Sequence, residues 1–327
     1  MTAGRLEALH IAAVANPGQW EANDSLCEAE IRRFFVPDDE LERRCRGSTR
    51  MYWPRRADAA PRVVEFLKQR LLDRHAASLV RVGDGEGNAL GHPTEPSHSF
   101  KIEFFQHRFE SMDGSCLSES EALEFCARVR EALFGADFIG FRCFDGLTPE
   151  SKLLFQRHAA GDLMTALGIL HARAALHSAL LEGRFVEKCI TSAWIHLALI
   201  PFLDEIVRCA SRLVVITGRG ELRPQFESRY GARLAAFIEV PVEGTVPSSP
   251  ERSHYRAVFP AVLRLLGDDW RGALVLVGAG FFGKLYCDAA RDSGAVAVDL
   301  GSAFDILAGL TTRPVHRPLH VEALRWC

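Results

Sequence analysis

LVLVGAGFFGKLYCDAARDSGAVAVDLGSAFDILAG, residues Leu274–Gly309, runs from strand to glycine turn to helix to strand without a long loop. Leu274–Val277 is a continuous apolar run, Phe282–Asp292 has apolar residues at helical spacing, and Ala295–Leu300 is apolar again. A strand that is apolar throughout needs cover on both faces, and alternation of such strands with helices indicates a parallel sheet. The same rhythm continues upstream. Ser78–Val82, Phe138–Phe141, Phe185–Ile190, Leu213–Thr217 and Phe237–Val242 read as strands. Pro61–Arg74, Ser118–Leu133, a segment opened by Thr148 and Pro149, Ala193–Cys209 and Ala257–Leu266 read as helices. Ser118 and Glu121 have capping-box spacing, and Pro61 suits a first helical turn. The expected fold is α/β: a Rossmann-like, mostly parallel sheet with helices on both faces. Residues 1–60 are rich in charge, including the run Asp38-Asp39-Glu40-Leu41-Glu42-Arg43-Arg44, and are expected to form a helical N-terminal extension or lid. Residues 61–327 would then form the Rossmann-like domain.

The bulk composition excludes several classes. The chain has 327 residues, 48% hydrophobic and 25% charged, ample for a sizeable core. Its 39 basic and 42 acidic residues give a net charge of −3, which does not favour nucleic acid or an anionic membrane as partner. The nine cysteines are odd in number and form no CxxC pair, so neither a disulfide framework nor a zinc site is expected, and a reducing cytoplasm is the natural setting. The N-terminus lacks a signal-peptide pattern. The most apolar window, Cys189–Leu203, is interrupted by His196 and is too short to be a transmembrane segment. Peripheral membrane association stays compatible with these features.

In open parallel sheets, ligands bind beyond the carboxyl ends of the strands, so the polar residues just after each strand are the candidates. After Ser78–Val82, which carries Arg81, comes Gly83-Asp84-Gly85-Glu86. Two carboxylates at i and i+2 on a glycine turn suit Mn²⁺ or Mg²⁺, which takes one or two protein oxygens and draws others from a substrate's phosphates. The blander reading is a solvated β-turn. After Leu274–Val277 comes Gly278-Ala279-Gly280-Phe281-Phe282-Gly283, followed by Lys284, with Asp299 at the end of the next strand. That spacing matches the dinucleotide fingerprint, whose glycines admit a phosphate to the backbone. It makes an NAD(P)-dependent oxidoreductase a rival reading. Only 28 residues follow Asp299, so the rest of such a sheet would have to lie upstream. Tight helix–sheet packing also explains these glycines. Gly218-Arg219-Gly220 places a permanently charged guanidinium at another strand end, within reach of a phosphate. His254-Tyr255, after the proline-rich stretch Thr245–Pro250, offers an acid, base or ligand. Arg142, just past Phe138–Phe141, is a weaker phosphate candidate.

Three of these stretches resemble the GT-D-type glycosyltransferases, a bacterial family first catalogued as a domain of unknown function. SLVRVGDGEGNALG (Ser78–Gly91) is similar to the family's signature strand and turn. ITGRGEL (Ile216–Leu222) lies where members have a strand end followed by Arg, and Leu274–Gly309 resembles the C-terminal unit with its glycine turn, Lys284 and Asp-hydrophobic-Gly-Ser ending. The likeness covers about residues 61–313. It implies a metal-dependent hexosyltransferase that uses a nucleotide-sugar donor, commonly a UDP-sugar, and a glycan, lipid-linked or protein-linked acceptor in polysaccharide biosynthesis. Asp84 and Glu86 become the metal and diphosphate residues. A donor site would be drawn from Arg81, Gly83, Gly85, Arg142, Gly218, Arg219, Tyr255, Gly278, Gly280, Gly283, Lys284 and Asp299, with His254 or Glu86 as acceptor base. Val82 departs from the family's usual Phe or Tyr, and Asn88 and Ala89 from a more apolar continuation. A non-catalytic nucleotide-binding protein of polysaccharide assembly is the reading from another class.

Overall fold

The computed structural model describes residues 34–53, 55–91, 109–110, 116–141, 163–242, 253–313, 316, 324 and 326. In chain order these form α1 (Asp38–Ser48), β1 (Met51–Trp53), α2 (Arg56–Leu72), β2 (Ala77–Val82), α3 (Asp84–Leu90), α4 (Glu119–Gly135), β3 (Phe138–Phe141), α5 (Leu163–Leu181) and β4 (Cys189–Ser192). Next come α6 (Ile195–Leu199), α7 (Leu203–Cys209), β5 (Arg212–Thr217), α8 (Arg223–Tyr230), β6 (Leu234–Glu239), α9 (Phe259–Leu266), β7 (Ala273–Gly278), α10 (Phe282–Asp292), β8 (Val296–Asp299) and α11 (Ala303–Leu307). The strands make one eight-stranded sheet, ordered β1-β4-β3-β2-β8-β7-β5-β6, and every pairing is parallel.

The alternating side chains of the strands sort into two cores. Val80, Ile139, Ile190, Val214, Val275 and Ala297 face one side, packed with α3, α4, α5, α9 and α10. Leu79, Phe138, Cys189, Val215, Leu276 and Val298 face the other, packed with α2, α6, α7, α8 and α11. Each fully buried Val or Leu contributes roughly 1.5–3 kcal/mol, so the central strands are fixed by cover on both sides. The capping box forms as expected: Glu121 N donates to Ser118 Oγ, and Ser118 N donates to Glu121 Oε2 at 2.8 Å.

Several sequence expectations shift. Pro61 lies inside α2, not at its start, so residue 60 marks no structural break. The described part of the N-terminal region is helical, as expected, in α1, and it also supplies β1. β1 is the edge strand beside β4, and the buried Arg173 of α5 donates to Val36 O at 2.6 Å and pairs with Asp38 at 2.5 Å. Pro201 divides the expected Ala193–Cys209 helix into α6, a 3₁₀ turn and α7, because a proline ring interrupts the helical hydrogen bonding. The strands expected at Phe185–Ile190 and Phe237–Val242 form a few residues away, as β4 and β6. Thr148 and Pro149 lie outside the described residues.

Connections leave the sheet alternately. On the neighbouring strands β2, β8, β7 and β5, the exits lead to α3, α11, α10 and α8, which lie on opposite faces in turn. Diverging exits of this kind are where parallel sheets form a ligand crevice at the carboxyl ends of their strands. Among the described residues, no helix is long and apolar enough to cross a membrane.

Candidate functional site

The crevice is organised by charges that the register brings together. β2 pairs with β8 so that Leu79 lies opposite Val298, which carries Arg81 and Asp299 to the same end of the sheet. Arg81 Nη2 pairs with Asp299 Oδ1 at 3.4 Å, and its Nε donates to the Asp299 carbonyl at 3.2 Å. Lys284, on the first turn of α10, lies 3.2 Å from Asp299 Oδ2 and 2.5 Å from Glu86 Oε1. Glu86, Lys284 and Asp299 are only 7%, 3% and 1% exposed, so these are buried pairs. Burial opposes the Lys284 charge, but the Asp299 and Glu86 carboxylates outweigh it and hold the ammonium above the ordinary lysine pKa. Burial likewise works against ionised Asp299, and Arg81 with Lys284 overrides it, keeping its pKa below the usual carboxylate value.

The Gly83-Asp84-Gly85-Glu86 segment differs from the turn expected of it. Gly83 is the N-cap of α3, and Asp84 opens the helix. Glu86 folds back to accept the Gly83 N–H at 2.7 Å, as the third residue of a helix does in a capping box. Asp84 is half-buried at the mouth. Its neighbouring glycines serve packing. A Cβ on Gly85 would lie 2.9 Å from the Phe281 ring, and Cβ atoms on Gly87 and Gly168 would collide with the Gly168 and Asp84 carbonyl oxygens. Close contact between α3 and α5 thus depends on both.

The Gly278–Gly283 turn also has a different use from the dinucleotide cradle its spacing suggests. Gly278 makes room for Phe304, Gly280 adopts φ +51°, and Lys284 Nζ donates to Gly280 O at 3.2 Å. Phe281 lies over Gly85, and Phe282 stacks on His254 at 4.0 Å. Asp299, which a dinucleotide site would turn toward a ribose, is buried against Arg81 and Lys284. Arg219 directs Nε to Asp305 of α11 at 2.6 Å, and Gly218 fits closely against Val242. His254 and Tyr255 are not in this cluster. His254 is a core residue, its Nε2 2.8 Å from the Tyr286 hydroxyl, and burial pushes its pKa down to about 3. That keeps it neutral and replaces the expected acid–base role with a packing one. Tyr255 packs among Phe109, Phe125 and Phe259. Arg142 lies outside the described residues.

Sequence reading missed His196, Gly301, Ser302 and His316. His196 is fully buried, with Nδ1 3.2 Å from Arg81 Nη1 and Nε2 3.3 Å from Ser302 Oγ; His316 Nε2 approaches the same hydroxyl at 3.1 Å. Burial first, then the Arg81 guanidinium, hold His196 well below its ordinary pKa. Gly301 has φ +45°, and a Cβ there would collide with Arg81. One signal was present for His196: an imidazole that interrupts the most apolar window of the chain.

A divalent cation in the crevice would find hard oxygen at Asp84. Among the described residues no group of three His, Cys, Asp or Glu side chains could hold one. Asp84 alone would be a partial donor set, of the kind that a cation shared with substrate phosphates uses.

Among curated proteins, none matches the chain. Three solved structures share low identity with it. A selenomethionine-substituted domain of unknown function 1792 is 15% identical, covers 84% of this chain and 87% of its own, and superposes with a TM-score of 0.44. A second, described as a highly conserved domain of unknown function 1792 with a distinct glycosyltransferase fold, is 14% identical over 83% of this chain and 85% of its own, at 0.44. A third, described as a new glycosyltransferase from Streptococcus sanguinis, is 15% identical over 76% and 84%, at 0.40. The family model of the GT-D fold-like domain matches residues 59–307, from within α2 to the end of α11, and the chain belongs to that family.

Proposed function

We propose that the chain is a glycosyltransferase that moves a sugar from a nucleoside-diphosphate donor, a UDP-sugar in the first instance, to a hydroxyl of a glycan or glycoconjugate, with Mn²⁺ or Mg²⁺ at Asp84. Family membership supports sugar transfer. The observation that carries the site is the position of Asp84 at the carboxyl end of β2, in the crevice where the exits of β2 and β8 diverge. The reaction breaks the bond from the anomeric carbon to the diphosphate oxygen, forms one to the acceptor oxygen and releases the hydroxyl proton. Asp84 would hold the divalent cation, whose chemistry there would be to neutralise charge on the leaving diphosphate. Asp84 supplies the anionic contact, and the paired charges of Arg81, Glu86, Lys284 and Asp299 tie α3, α10, β2 and β8 together beside it.

The test combines a thermal-shift screen of nucleotide sugars, with and without Mn²⁺, with turnover of the best binder by wild type and Asp84→Asn. A donor that binds the folded chain raises its melting temperature by mass action. Asp84→Asn is expected to lower Mn²⁺-dependent donor hydrolysis or transfer by about 10²-fold or more while the protein stays folded. Full activity in Asp84→Asn refutes the assignment.

A further inference from the structure

We infer that Glu86 is not a ligand of the divalent cation: it is the counter-ion of the buried Lys284 and the clasp of α3. This rests on reading the crevice as a metal–diphosphate site. Three observations carry it. Both Glu86 oxygens are engaged, Oε1 with Lys284 Nζ at 2.5 Å and Oε2 with the Gly83 N–H at 2.7 Å. Asp84 and Glu86 are both within α3, where residues two apart project roughly 200° from one another and do not converge on one ion. Finally, the buried group is balanced, with Arg81 and Lys284 against Glu86 and Asp299. A cation drawn to Glu86 would have to displace the Lys284 ammonium from a site with little water and then face it, a like charge, at close range.

The two roles predict opposite behaviour in the metal-free protein. Carboxylates that await a metal repel each other, so neutralising one stabilises the fold. A carboxylate that balances a buried ammonium does the reverse. The full-length chain without metal is melted as wild type, Glu86→Gln, Lys284→Met and the double variant Glu86→Gln/Lys284→Met. Glutamine can still accept the Gly83 N–H, so the change isolates the charge. Breaking a buried pair on one side is expected to lower Tm by roughly 4–7 °C in either single variant. The double variant leaves Arg81 with Asp299 and recovers more than about half of that loss. Mn²⁺ affinity in the presence of UDP, read by electron paramagnetic resonance of the free ion, changes less than about threefold in the double variant and falls about tenfold or more in Asp84→Asn. Should Glu86→Gln not fold while the double variant does, the rescue itself supports the assignment. An unchanged or raised Tm in Glu86→Gln, absence of recovery in the double variant, or a tenfold loss of Mn²⁺ affinity in the double variant overturns it. If wild type binds no Mn²⁺ with UDP, the proposed function fails while the melting cycle still decides the role of Glu86.

Discussion

Gly168→Ala provides a demanding test of how the fold holds its site. Gly168 lies on α5 with its Cα against the carbonyl of Asp84, and an alanine Cβ there would fall well inside 3.0 Å of that oxygen. Restoring ordinary contact requires α3 and α5 to separate by roughly 1–1.5 Å. Neither helix yields easily. α3 is held by the Glu86–Lys284 pair, and α5 by Leu176, Ala179 and Leu180 in the core. Overpacking of this kind costs about 1–3 kcal/mol, and loss of geometry at the buried pair adds to it. The expected total is about 3 kcal/mol, a fall of roughly 4–5 °C in Tm. Function should fall further than stability, because an ångström of displacement at a reacting centre can cost about 10²-fold in rate. Thermal melting and donor turnover measured on the same preparation check both. A Gly168→Ala protein within about 1 °C of wild type and fully active would refute the claim that α5 positions Asp84.

Gly283→Ala should behave oppositely. Its Cβ would meet Val277 Cγ1 at 3.5 Å and Asp299 Oδ1 at 3.8 Å, which is ordinary contact. Alanine gains up to about 1 kcal/mol of helix propensity inside α10, so Tm should hold or rise and UDP-sugar binding by calorimetry should be unchanged; a tenfold loss of binding would instead place a ligand against that backbone. His254→Gln should change the pH dependence of stability without changing transfer at neutral pH. His254 titrates near 3 in the folded chain and near 6.5 when unfolded, so its contribution is whole above pH 6.5 and is lost as pH falls toward 3, by about 1.4 kcal/mol per pH unit. Urea titrations between pH 7 and 5 should show a shallower loss in the variant than in wild type, and an identical slope would contradict the buried neutral imidazole.

Much of the sheet was legible because its strands are apolar on both faces and short. β2, β3, β5, β7 and β8 required only that pattern. β1 was not legible: three residues, Met51–Trp53, have no period to read, and β4 is what makes them a strand. The crevice was half legible. Strand ends pointed to Asp84, Glu86, Lys284 and Asp299, since all four follow or close a strand. Their partners could not be read, because Glu86 meets Lys284 across nearly two hundred positions and His196 meets Ser302 across more than one hundred. Glycine spacing misled for a physical reason. A close backbone approach looks the same in sequence whether the visitor is a phosphate or another helix, and in α3 it is α5 that approaches.

The change from turn to helix alters the chemistry of the D-x-E pair. On a flexible turn, two carboxylates at i and i+2 can swing onto one ion. Within α3 the first residue is half-buried at the carboxyl end of β2 and the third folds back on its own N-cap, so the two carboxylates do not converge. The division explains why so many charges can lie under one crevice. With Arg81, Lys284, Glu86 and Asp299 balanced, the floor carries no net charge of its own, and no one of them can be neutralised without exposing another to an apolar surround. Asp84 is half-buried at the carboxyl end of β2. On the proposed function, one carboxylate would hold a divalent cation without saturating its shell and would leave positions for the donor's diphosphate. A second protein carboxylate would compete with that diphosphate for the same positions, and pairing Glu86 with Lys284 removes the competitor from the fold's own supply.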